Sequence, residues 1–457
     1  MDSEQIIRTL SLYPGKKLEQ PLKVRRAKLQ DFLRQLRSSK NEFHAAVNAD
    51  LNRDYADTLL SELIPLCDIC RYLISKMSDL LKPGKLPGSL ATFPATIKSY
   101  REPYGRVLII STWNYPILLS LEPVLGAYAA GNRVILKLSP RSPHSNAFIK
   151  RLVSKCFSSD EILIIGEELS FQQLLSCRYD YIFATGNSNT GREILRSAAE
   201  NLTPCTIELG GKNPCIVTGK ADISIAARRI VWGKFFNAGQ SCCAPDFLYV
   251  HKDIKSALMN KITAEIRKMY GEHPLDTGNF TCMPDRNAYD RACKLLSEGR
   301  LICGGDRDPE KLAIEPTVID MIDESSPLMK EEIFAPILPV MEYSSEAEIM
   351  IKLSSLEKPL ALYCFGASGT LREKLITGTS SGALLFDDVL VHFSNMHIPF
   401  GGVGKSGFGA YHGSRTLTLF THEKPVLTQC RHLDLLLRYP PHGKFFRKIV
   451  EFFCGLG

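Results

Sequence analysis

The first 82 residues carry a helical pattern of apolar positions. Four of these positions recur at i, i+3, i+4 and i+7 and form one apolar stripe: Leu29, Phe32, Leu33 and Leu36. Pro83-Gly84 and Pro87-Gly88 then interrupt the pattern. The stretch from Ala91 to Tyr100 is short and contains Thr, Phe and Ile, which predicts a strand or one arm of a hairpin.

From Gly105 onward, short apolar runs alternate with segments of helical period. The runs of strand length are 107–110, 134–137, 162–165, 181–183, 215–217, 247–250 and 360–363. Helices are predicted around 222–236 and 254–270. Strands that are apolar along their whole length are buried on both faces, so this alternation predicts an α/β protein with parallel, Rossmann-type sheets.

Two motifs in the middle of the chain suit covalent chemistry on a carbonyl. Glu208 is followed by Leu209-Gly210-Gly211-Lys212 on a predicted glycine-rich turn, and Cys242 ends Gly239-Gln240-Ser241-Cys242. A thiolate can add to the carbonyl carbon, and a carboxylate can later take a proton from the water that releases the acyl group. If Glu208 is buried beside its apolar neighbours, its pKa is raised, which suits a general base.

Each of these residues also has an ordinary structural interpretation. A cysteine is most often a buried thiol, and Cys243 competes with Cys242 for the role of nucleophile. Glu208 alone would be interpreted as an acid of a turn or a helix N-terminus. The motif Cys67-Asp-Ile-Cys70 lies in an apolar helical pattern without a second pair of ligands, so core packing is favoured over a zinc site.

The combined motifs resemble the signature pair of the NAD(P)-dependent aldehyde dehydrogenases, over a stretch from about Arg25 to about Pro441. The resemblance is closest to class 3, the dimeric branch that oxidises medium- and long-chain or aromatic aldehydes. It implies a Rossmann-like cofactor domain, an α/β catalytic domain and a small bridging or oligomerisation sheet. The boundaries expected for these parts are 1–82 with 105–208 for NAD(P) binding, 209–398 for catalysis, and 83–104 with 399–443 for bridging.

The same resemblance implies roles for individual residues. Cys242, the fourth position of Gly-Gln-x-Cys, is the expected nucleophile, and Glu208 is the expected base of thioester hydrolysis. Asn114, within Thr112-Trp113-Asn114-Tyr115-Pro116, is expected to stabilise the oxyanion together with the backbone N–H of the nucleophile. The alternative for Asn114 is ordinary turn chemistry before Tyr-Pro.

Cofactor binding is expected at several motifs. A loop from Thr185 to Gly191 follows a predicted strand and opens a helix predicted from Arg192 to Glu200, which is how a helix N-terminus meets a pyrophosphate. Its glycines are not spaced as in the usual dinucleotide fingerprint, but they resemble the aldehyde dehydrogenase variant. The residues expected at the cofactor are Thr112, Trp113, Lys137, Gly186, Asn187, Ser188, Asn189, Thr190, Gly191, Glu332 and Phe334.

One departure from the family concerns the choice of cofactor. Lys137 is followed by Leu-Ser-Pro140 and then Arg141, where the family often has an acid that binds the ribose 2′-hydroxyl. Without that acid, acceptance of NADP alongside NAD is expected, with Arg141 pairing with the 2′-phosphate. In the alternative, Arg141 points to solvent and Lys137 still holds NAD.

Composition sets broader limits. The 457 residues are 44% hydrophobic, as in a globular protein, and the net charge of +7 is spread along the chain, which disfavours nucleic-acid binding. Fourteen scattered cysteines favour a reducing compartment, and no metal is expected. With neither a secretory signal nor an apolar stretch long enough to span a bilayer, a cytoplasmic enzyme is expected.

The C-terminal tail, 444–457, has its own pattern. Its charged residues recur on one side of a predicted helix, with aromatic and aliphatic residues over the remainder: Lys444, Arg447, Lys448 and Glu451 against Phe445, Phe446, Ile449, Val450, Phe452 and Phe453. Such a basic amphipathic helix suits an anionic membrane surface. Packing on a partner subunit or over the substrate entrance is the equal alternative.

Two other functions compete with NAD(P)-dependent aldehyde oxidation in which water hydrolyses the thioester. An acylating dehydrogenase would pass its thioester to CoA or phosphate, but those branches generally lack an acid at the position of Glu208. A silent binding or structural homologue would be expected to have lost a catalytic residue, whereas Cys242, Glu208 and Asn114 are all present. The sequence therefore predicts a non-acylating aldehyde dehydrogenase that forms a homodimer.

Overall fold

The computed structural model describes residues 6–7, 10, 17–277, 280–434 and 438–455. The chain divides into two compact units. The larger comprises Met1–Leu80 and Pro103–Thr421, and the smaller comprises Leu81–Glu102 and His422–Gly457.

The described α-helices are α1 Leu22–Ser38, α2 Lys40–Leu51, α3 Tyr55–Thr58, α4 Ile64–Leu81, α5 Leu118–Ala130, α6 Pro143–Cys156, α7 Phe171–Leu175, α8 Ser188–Glu200, α9 Ile223–Phe235, α10 Lys255–Tyr270, α11 Arg286–Leu295, α12 Pro327–Lys330, α13 Glu346–Ser355, α14 Gly369–Gly378, α15 Ser414–Thr418 and α16 Lys444–Phe453. A π-helical turn, Leu59–Leu63, joins α3 to α4. The apolar stripe predicted in the first helix is confirmed, since Leu29, Phe32 and Leu36 are buried.

The described strands are β1 Gly84–Lys85, β2 Thr96–Pro103, β3 Arg106–Ile110, β4 Arg133–Lys137, β5 Ile162–Ile165, β6 Tyr181–Gly186, β7 Cys205–Leu209, β8 Pro214–Val217, β9 Phe247–His251, β10 Arg300–Cys303, β11 Arg307–Asp308, β12 Ala313–Ile314, β13 Thr317–Asp320, β14 Ile337–Tyr343, β15 Ala361–Phe365, β16 Ala383–Phe386, β17 Gly407–Phe408 and β18 Thr421–Thr428. The seven predicted apolar runs all form strands, within three residues of the predicted bounds.

The first large sheet has the order β17-β7-β6-β3-β4-β5. Its strands are parallel except β17, which pairs antiparallel with β7. All residues of β3 are buried, as expected for a central strand covered on both faces. The prediction of a parallel, Rossmann-type sheet is therefore confirmed.

The second large sheet has the order β10-β13-β14-β9-β8-β15-β16. Its strands are parallel except for the edge strand β10. Side chains such as Ile216, Phe247 and Ile337 form its core with residues of α11, α13 and α14. In the first sheet, candidate site residues such as Asn114 and Glu208 lie at or just after the carboxyl ends of strands. In the second sheet, Cys242 and Glu332 lie instead in the segments that lead into β9 and β14.

The smaller unit contains a three-stranded sheet in the order β1-β2-β18. The strand predicted within 91–100 begins at Thr96, because residues Leu90–Thr92 form a 3-10 turn instead. The tail helix predicted over Lys444–Phe453 has those same bounds.

Two local predictions were wrong. Glu208 was placed on a turn, but it is the fourth residue of β7, and the turn starts at Gly210. The helix predicted from Arg192 begins at Ser188, because the Asn187 side chain caps it by accepting hydrogen bonds from the N–H groups of Asn189 and Thr190, both at 3.0 Å.

Candidate active site

The Cys242 turn is shaped by an unusual backbone. Asn237, Ala238 and Gly239 have φ values of 53°, 52° and 71°. A side chain at Gly239 would collide with the carbonyl oxygen of Ala335, so this position requires glycine. The turn leaves Cys242 partly accessible, while Cys243 is buried.

Neighbouring groups disfavour the Cys242 thiolate in the resting protein. A hydrogen bond with the Cys243 thiol, followed by burial and the nearby Glu208, raises the pKa of Cys242 well above its ordinary value. Cys242 is therefore a thiol at neutral pH. Its activation requires a base or a nearby positive charge.

Asn213, which the sequence analysis did not single out, fixes the backbone of this turn. Its Nδ2 donates to the carbonyl oxygens of Cys242 at 2.7 Å and Ala244 at 3.0 Å. Its Oδ1 accepts from the N–H of Ala361 at 2.9 Å. Asn213 directly follows Glu-Leu-Gly-Gly-Lys, so it joins the two motifs that carry Glu208 and Cys242.

Asn114 lies in the loop after β3 and is buried. Its Nδ2 donates to the carbonyl oxygen of Gln240 at 3.0 Å, which uses one of the two N–H bonds of the amide and brings Asn114 beside the Cys242 turn. Its backbone carbonyl oxygen accepts from Asn237 Nδ2 at 3.1 Å and from the guanidinium of Arg53. Asn114 is thus held from both ends.

Arg53 and Glu62 form a fully buried ion pair beneath Asn114, with 2.6 Å between Nη1 and Oε1. Arg53 Nε also donates to Asn237 Oδ1 at 3.0 Å. Glu62 Oε2 accepts from the N–H groups of Ile117 and Leu118, each at 2.9 Å. Sequence reasoning missed this pair, because Arg53 lies among polar residues between α2 and α3, and only Glu62 stands out as a charged residue in an apolar helical turn.

Glu208 is buried on β7, and neither carboxylate oxygen has a hydrogen-bond partner among the described residues. Burial, followed by the nearby Cys243 and Glu332, raises the pKa of Glu208 well above its ordinary value. The raised pKa expected from the sequence is therefore confirmed. A carboxyl group without internal partners has its oxygens available for a ligand or water.

Glu332 lies close to the glycines that follow Glu208. Its Oε1 accepts from the N–H of Gly211 at 3.2 Å, and a side chain at Gly210 would collide with its carboxylate. Burial, with Asp246 next, raises the pKa of Glu332 to about 8. Asp246 also orients the Glu332 turn, since its Oδ1 accepts from the N–H of Ile333 at 2.9 Å.

Other residues expected at the cofactor lie at the ends of strands of the first sheet. Thr112 and Trp113 follow β3 and are partly buried, and the Trp113 ring meets Phe334 edge to face at 5.5 Å. Lys137 ends β4, and its ammonium donates to the carbonyl oxygen of Gly166. Burial lowers the pKa of Lys137.

The loop around Gly186 differs from its expected form. Gly186 ends β6, whereas Ser188, Asn189, Thr190 and Gly191 belong to the first turn of α8. The Asn187 side chain already occupies two of the N–H groups expected to meet a pyrophosphate. Thr185, just before Gly186, has a buried hydroxyl without a partner among the described residues.

These contacts unite three sequence motifs around Cys242, and the chain matches the model of the aldehyde dehydrogenase family over residues 16–426. The chain belongs to the aldehyde dehydrogenase family. As a family member it is an NAD(P)-dependent enzyme that oxidises aldehydes. The family resemblance stated from the motifs is thereby confirmed.

Characterised relatives are similar along nearly the whole enzyme. Aldehyde dehydrogenase family 3 member B1 of Homo sapiens is 36% identical over 430 residues, which cover 93% of this chain and 91% of the relative. The 4,4'-diaponeurosporen-aldehyde dehydrogenase of Staphylococcus aureus is 34% identical over 435 residues, 94% of this chain and 95% of the relative.

A solved structure of Staphylococcus aureus AldH in its substrate-bound state superposes on this aldehyde dehydrogenase with a TM-score of 0.93. It is 33% identical in sequence, and the match covers 98% of this chain and 99% of that one. The predicted aldehyde dehydrogenase fold is confirmed. Within the described residues, no cluster of His, Cys, Asp or Glu could hold a metal ion, and no described helix has the length and apolar character needed to cross a membrane.

Proposed function

We propose that this enzyme oxidises medium- and long-chain aliphatic or aromatic aldehydes to carboxylic acids, with NAD or NADP. The observation that carries the mechanism is the assembly of Cys242, Glu208 and Asn114 around one turn that Asn213 and Gln240 hold together. The substrate class is supported by the family 3 relatives and by the class 3 character of the motifs.

Cys242 is the nucleophile in this mechanism. It is the accessible member of the Cys242–Cys243 pair, and its sulfur adds to the aldehyde carbon after losing its proton. The oxyanion of the resulting thiohemiacetal needs donors. The second N–H of the Asn114 amide and the backbone N–H of Cys242 supply them, and the Arg53 network keeps Asn114 in place.

The residues around the cleft fit a nicotinamide dinucleotide. Thr185 offers a buried hydroxyl without a described partner, and Gly210 leaves room for the Glu332 carboxylate to approach the backbone. Glu332 and Lys137 would hold the two riboses, and Phe334 and Trp113 would bind the nicotinamide end. The bound cofactor supplies the hydride acceptor that oxidation of the thiohemiacetal to a thioester requires.

The remaining cofactor residues act at the pyrophosphate. Gly186 ends β6, and the N-terminus of α8 presents Ser188 next to it, so this end favours negative charge. Asn187, Asn189, Thr190 and Gly191 shape that first turn. In this role Asn187 either shares its capping contacts with the ligand or moves aside.

Glu208 completes the reaction by taking a proton from the water that hydrolyses the Cys242 thioester. Its burial and raised pKa suit a general base that works near neutral pH. The absence of a described partner for its oxygens leaves them free to bind that water.

Several features of the assembly belong to the same proposal. Residues 1–82 with 105–208 bind NAD(P), 209–398 form the catalytic domain, and 83–104 with 399–443 bridge two copies in a homodimer. The enzyme is cytoplasmic, and its tail helix, Lys444–Phe453, either contacts a membrane surface, which would make the enzyme peripheral, or packs on the protein. The exposed Phe445 and Phe452 side chains support the membrane contact.

The function is tested with purified enzyme and a panel of aldehydes of graded chain length, together with benzaldehyde, by following reduced NAD or NADP. Turnover without CoA or phosphate, and a KM that falls as the chain lengthens, are expected. Turnover that depends on CoA or phosphate would identify an acylating dehydrogenase instead. No turnover with any aldehyde would refute the proposed function.

A further inference from the structure

Glu122 is a carboxyl group in the middle of the most buried helix of the larger unit. Every residue of α5 is buried, and Glu122 has no exposed surface. Burying a carboxyl group is costly unless other groups satisfy it. Its partners therefore indicate why a glutamate is accommodated here.

Those partners belong to α15 and to the turn that precedes it. The Thr416 hydroxyl donates to Glu122 Oε1 at 3.2 Å and accepts from the backbone N–H of His412 at 2.8 Å. The second oxygen, Oε2, lies 3.5 Å from His412 Nε2. One helical turn beyond Glu122, a side chain at Gly126 would come within 2.5 Å of the Thr416 carbonyl oxygen. Helix α5 and this turn are thus closely interlocked.

The turn itself has a backbone that needs such support. His412 has a φ of 77°, which is uncommon for a residue with a side chain, and Gly413 follows with a φ of 59°. A residue with a side chain keeps such a backbone conformation only when neighbouring groups hold it in place. Here Thr416 and Glu122, which both contact His412, hold it.

Tyr411 is the residue that the turn presents to the active site. Its backbone pairs with Phe400 through hydrogen bonds of 2.9 Å and 3.1 Å, and its ring meets Phe183 at 5.3 Å. Its hydroxyl is buried without a described partner. Burial, with Glu122, Glu208 and Cys242 as neighbours, raises the pKa of Tyr411, so the hydroxyl stays protonated as a donor.

The charge states agree with a hydrogen-bonded rather than an ionic role. Burial raises the pKa of Glu122 to about 8, and burial with the neighbouring His392 lowers the pKa of His412 to about 4. Both groups are therefore neutral at pH 7. A neutral carboxyl group can accept from Thr416 with Oε1 while Oε2 faces the neutral imidazole of His412 at 3.5 Å, without a hydrogen bond among the described residues. A glutamine amide could occupy the same two positions.

We propose that Glu122 is a positioning residue for aldehyde oxidation: through Thr416 and His412 it fixes the turn that holds the Tyr411 hydroxyl beside Cys242 and Glu208. This inference rests on the proposed function. It assigns to Glu122 no contact with substrate or cofactor. Its effect on the reaction passes through Tyr411.

The test compares Glu122→Leu, Glu122→Gln, Tyr411→Phe and the double variant Glu122→Leu/Tyr411→Phe in the full chain. Since small misplacements of active-site groups can cost up to about 100-fold, we expect Glu122→Leu to lower kcat about tenfold or more. The KM for NAD should remain within about twofold, because the change affects the chemical steps and not cofactor binding. Glu122→Gln should retain wild-type kcat.

The double variant separates positioning from general stability. If Glu122 acts through Tyr411, adding Glu122→Leu to Tyr411→Phe lowers kcat no further, whereas independent effects multiply. Wild-type kcat in Glu122→Leu, a Glu122→Gln variant as slow as Glu122→Leu, or multiplying effects would each overturn the proposal.

A second pair of variants covers the case in which Glu122→Leu does not fold. Thr416→Val removes the bridging hydroxyl and Thr416→Ser keeps it, so kcat should fall only in the former, and not when Tyr411 is already Phe. Equal kcat in the two Thr416 variants would overturn the proposal. A wild-type enzyme inactive with every aldehyde would instead refute the function on which it rests.

Discussion

The side-chain amide of Asn213 binds the carbonyl oxygen of Cys242, with 2.7 Å between Nδ2 and O. Both its N–H bonds are used, since the carbonyl oxygen of Ala244 lies 3.0 Å away. The N–H of Ala361, the first residue of β15, binds the Oδ1 atom. One buried amide therefore fixes the Cys242 turn to the second sheet, directly after the Glu208 motif.

Asn213→Ala should reduce both activity and stability. Two buried carbonyl oxygens and one N–H lose their partner, and each buried polar group left unsatisfied costs about 1–3 kcal/mol. Unfolding in urea and steady-state kinetics measure the two effects. Asn260→Ala, an exposed position on α10, is the control and should match the wild type. Wild-type kcat in Asn213→Ala would show that the contact does not support the reactive turn.

The strands were predictable because their signals are local, and the residues proposed for catalysis are likewise found from local motifs. Continuous apolar runs identify buried parallel strands such as β3 and β5, and short motifs identify Asn114 and Cys242. Glu208 was misplaced onto a turn because the glycines after it hide the end of β7, where apolar Ile207 and Leu209 continue the strand. Local patterns therefore predict which strands and helices form, but they predict the residues where these begin and end less accurately.

Contacts between distant segments could not be predicted. Arg53 and Glu62 meet in the core beneath Asn114, yet from the sequence Arg53 would pass as a loop charge and Glu62 as a surface charge on a helix. Glu122 and Thr416 are far apart in sequence, and only the packing of α5 against α15 brings them together. The capping of the first N–H groups of α8 by the Asn187 side chain depends on where the helix begins, and sequence patterns predict helix starts least well.

The two adjacent cysteines should respond differently to substitution. Cys242→Ala should abolish turnover, since it removes the proposed nucleophile. Cys243→Ala should leave substantial activity and make Cys242 more reactive, because the Cys243 thiol is the largest cause of the raised pKa of Cys242. Turnover and the pH dependence of iodoacetamide labelling measure this. An inactive Cys243→Ala with an active Cys242→Ala would reverse the assignment.

Glu208→Gln should separate the two halves of the reaction. One burst of reduced cofactor should remain, whereas steady-state turnover should fall about 10²–10⁴-fold, the usual contribution of a general base. Unchanged steady-state turnover would remove Glu208 from the mechanism. Glu200→Gln, exposed on α8, is the matched control.

The pH dependence of kcat provides a second test of Glu208 as the general base. Since its pKa is raised, the ionised base forms at a higher pH than it does for an ordinary glutamate, and kcat of the wild type should increase as pH rises through that pKa. In Glu208→Gln this increase should disappear. The pKa of Glu332 is also raised, to about 8, so Glu332→Gln is measured in parallel. If the increase in kcat with pH is lost in Glu332→Gln but kept in Glu208→Gln, the titrating group is Glu332.

Cofactor choice should depend on Arg141 and Asp285, whose side chains pair at 2.9 Å between Nε and Oδ2. We expect the wild type to use NADP as well as NAD. Asp285→Asn keeps its cap on Ala288 of α11 but frees Arg141 from its carboxylate. Because an exposed ion pair contributes up to about 1 kcal/mol, the KM for NADP should fall up to about fivefold, with little change for NAD.

Two further variants test the origin of this preference. Arg141→Ala should raise the KM for NADP selectively, since a 2′-phosphate loses its guanidinium partner. Pro140→Glu should depress NADP use, because an acid repels that phosphate. Steady-state kinetics with both cofactors decide the matter: no measurable NADP activity in the wild type would refute the hypothesis.

The tail helix, Lys444–Phe453, leaves large apolar side chains in contact with solvent. Phe445 and Phe452 are each 75% exposed, and Lys444, Arg447 and Lys448 are exposed as well. Exposed aromatic groups beside basic residues suit the surface of an anionic bilayer, where each basic residue contributes roughly 1 kcal/mol. The same face could instead pack on a second copy of the chain.

Co-sedimentation with phosphatidylserine vesicles distinguishes these two roles. If the helix binds membrane, the full chain should sediment, and a chain ending at Pro441 and the variant Phe445→Ser/Phe452→Ser should both remain in solution with normal turnover. Neutral phosphatidylcholine vesicles should retain less of the full chain, because the basic residues lose their attraction. If no form sediments but the shortened chain loses its dimer in sedimentation velocity, the helix packs on the partner subunit. The membrane proposal then fails, while the catalytic assignments of Cys242, Glu208 and Asn114 are unaffected.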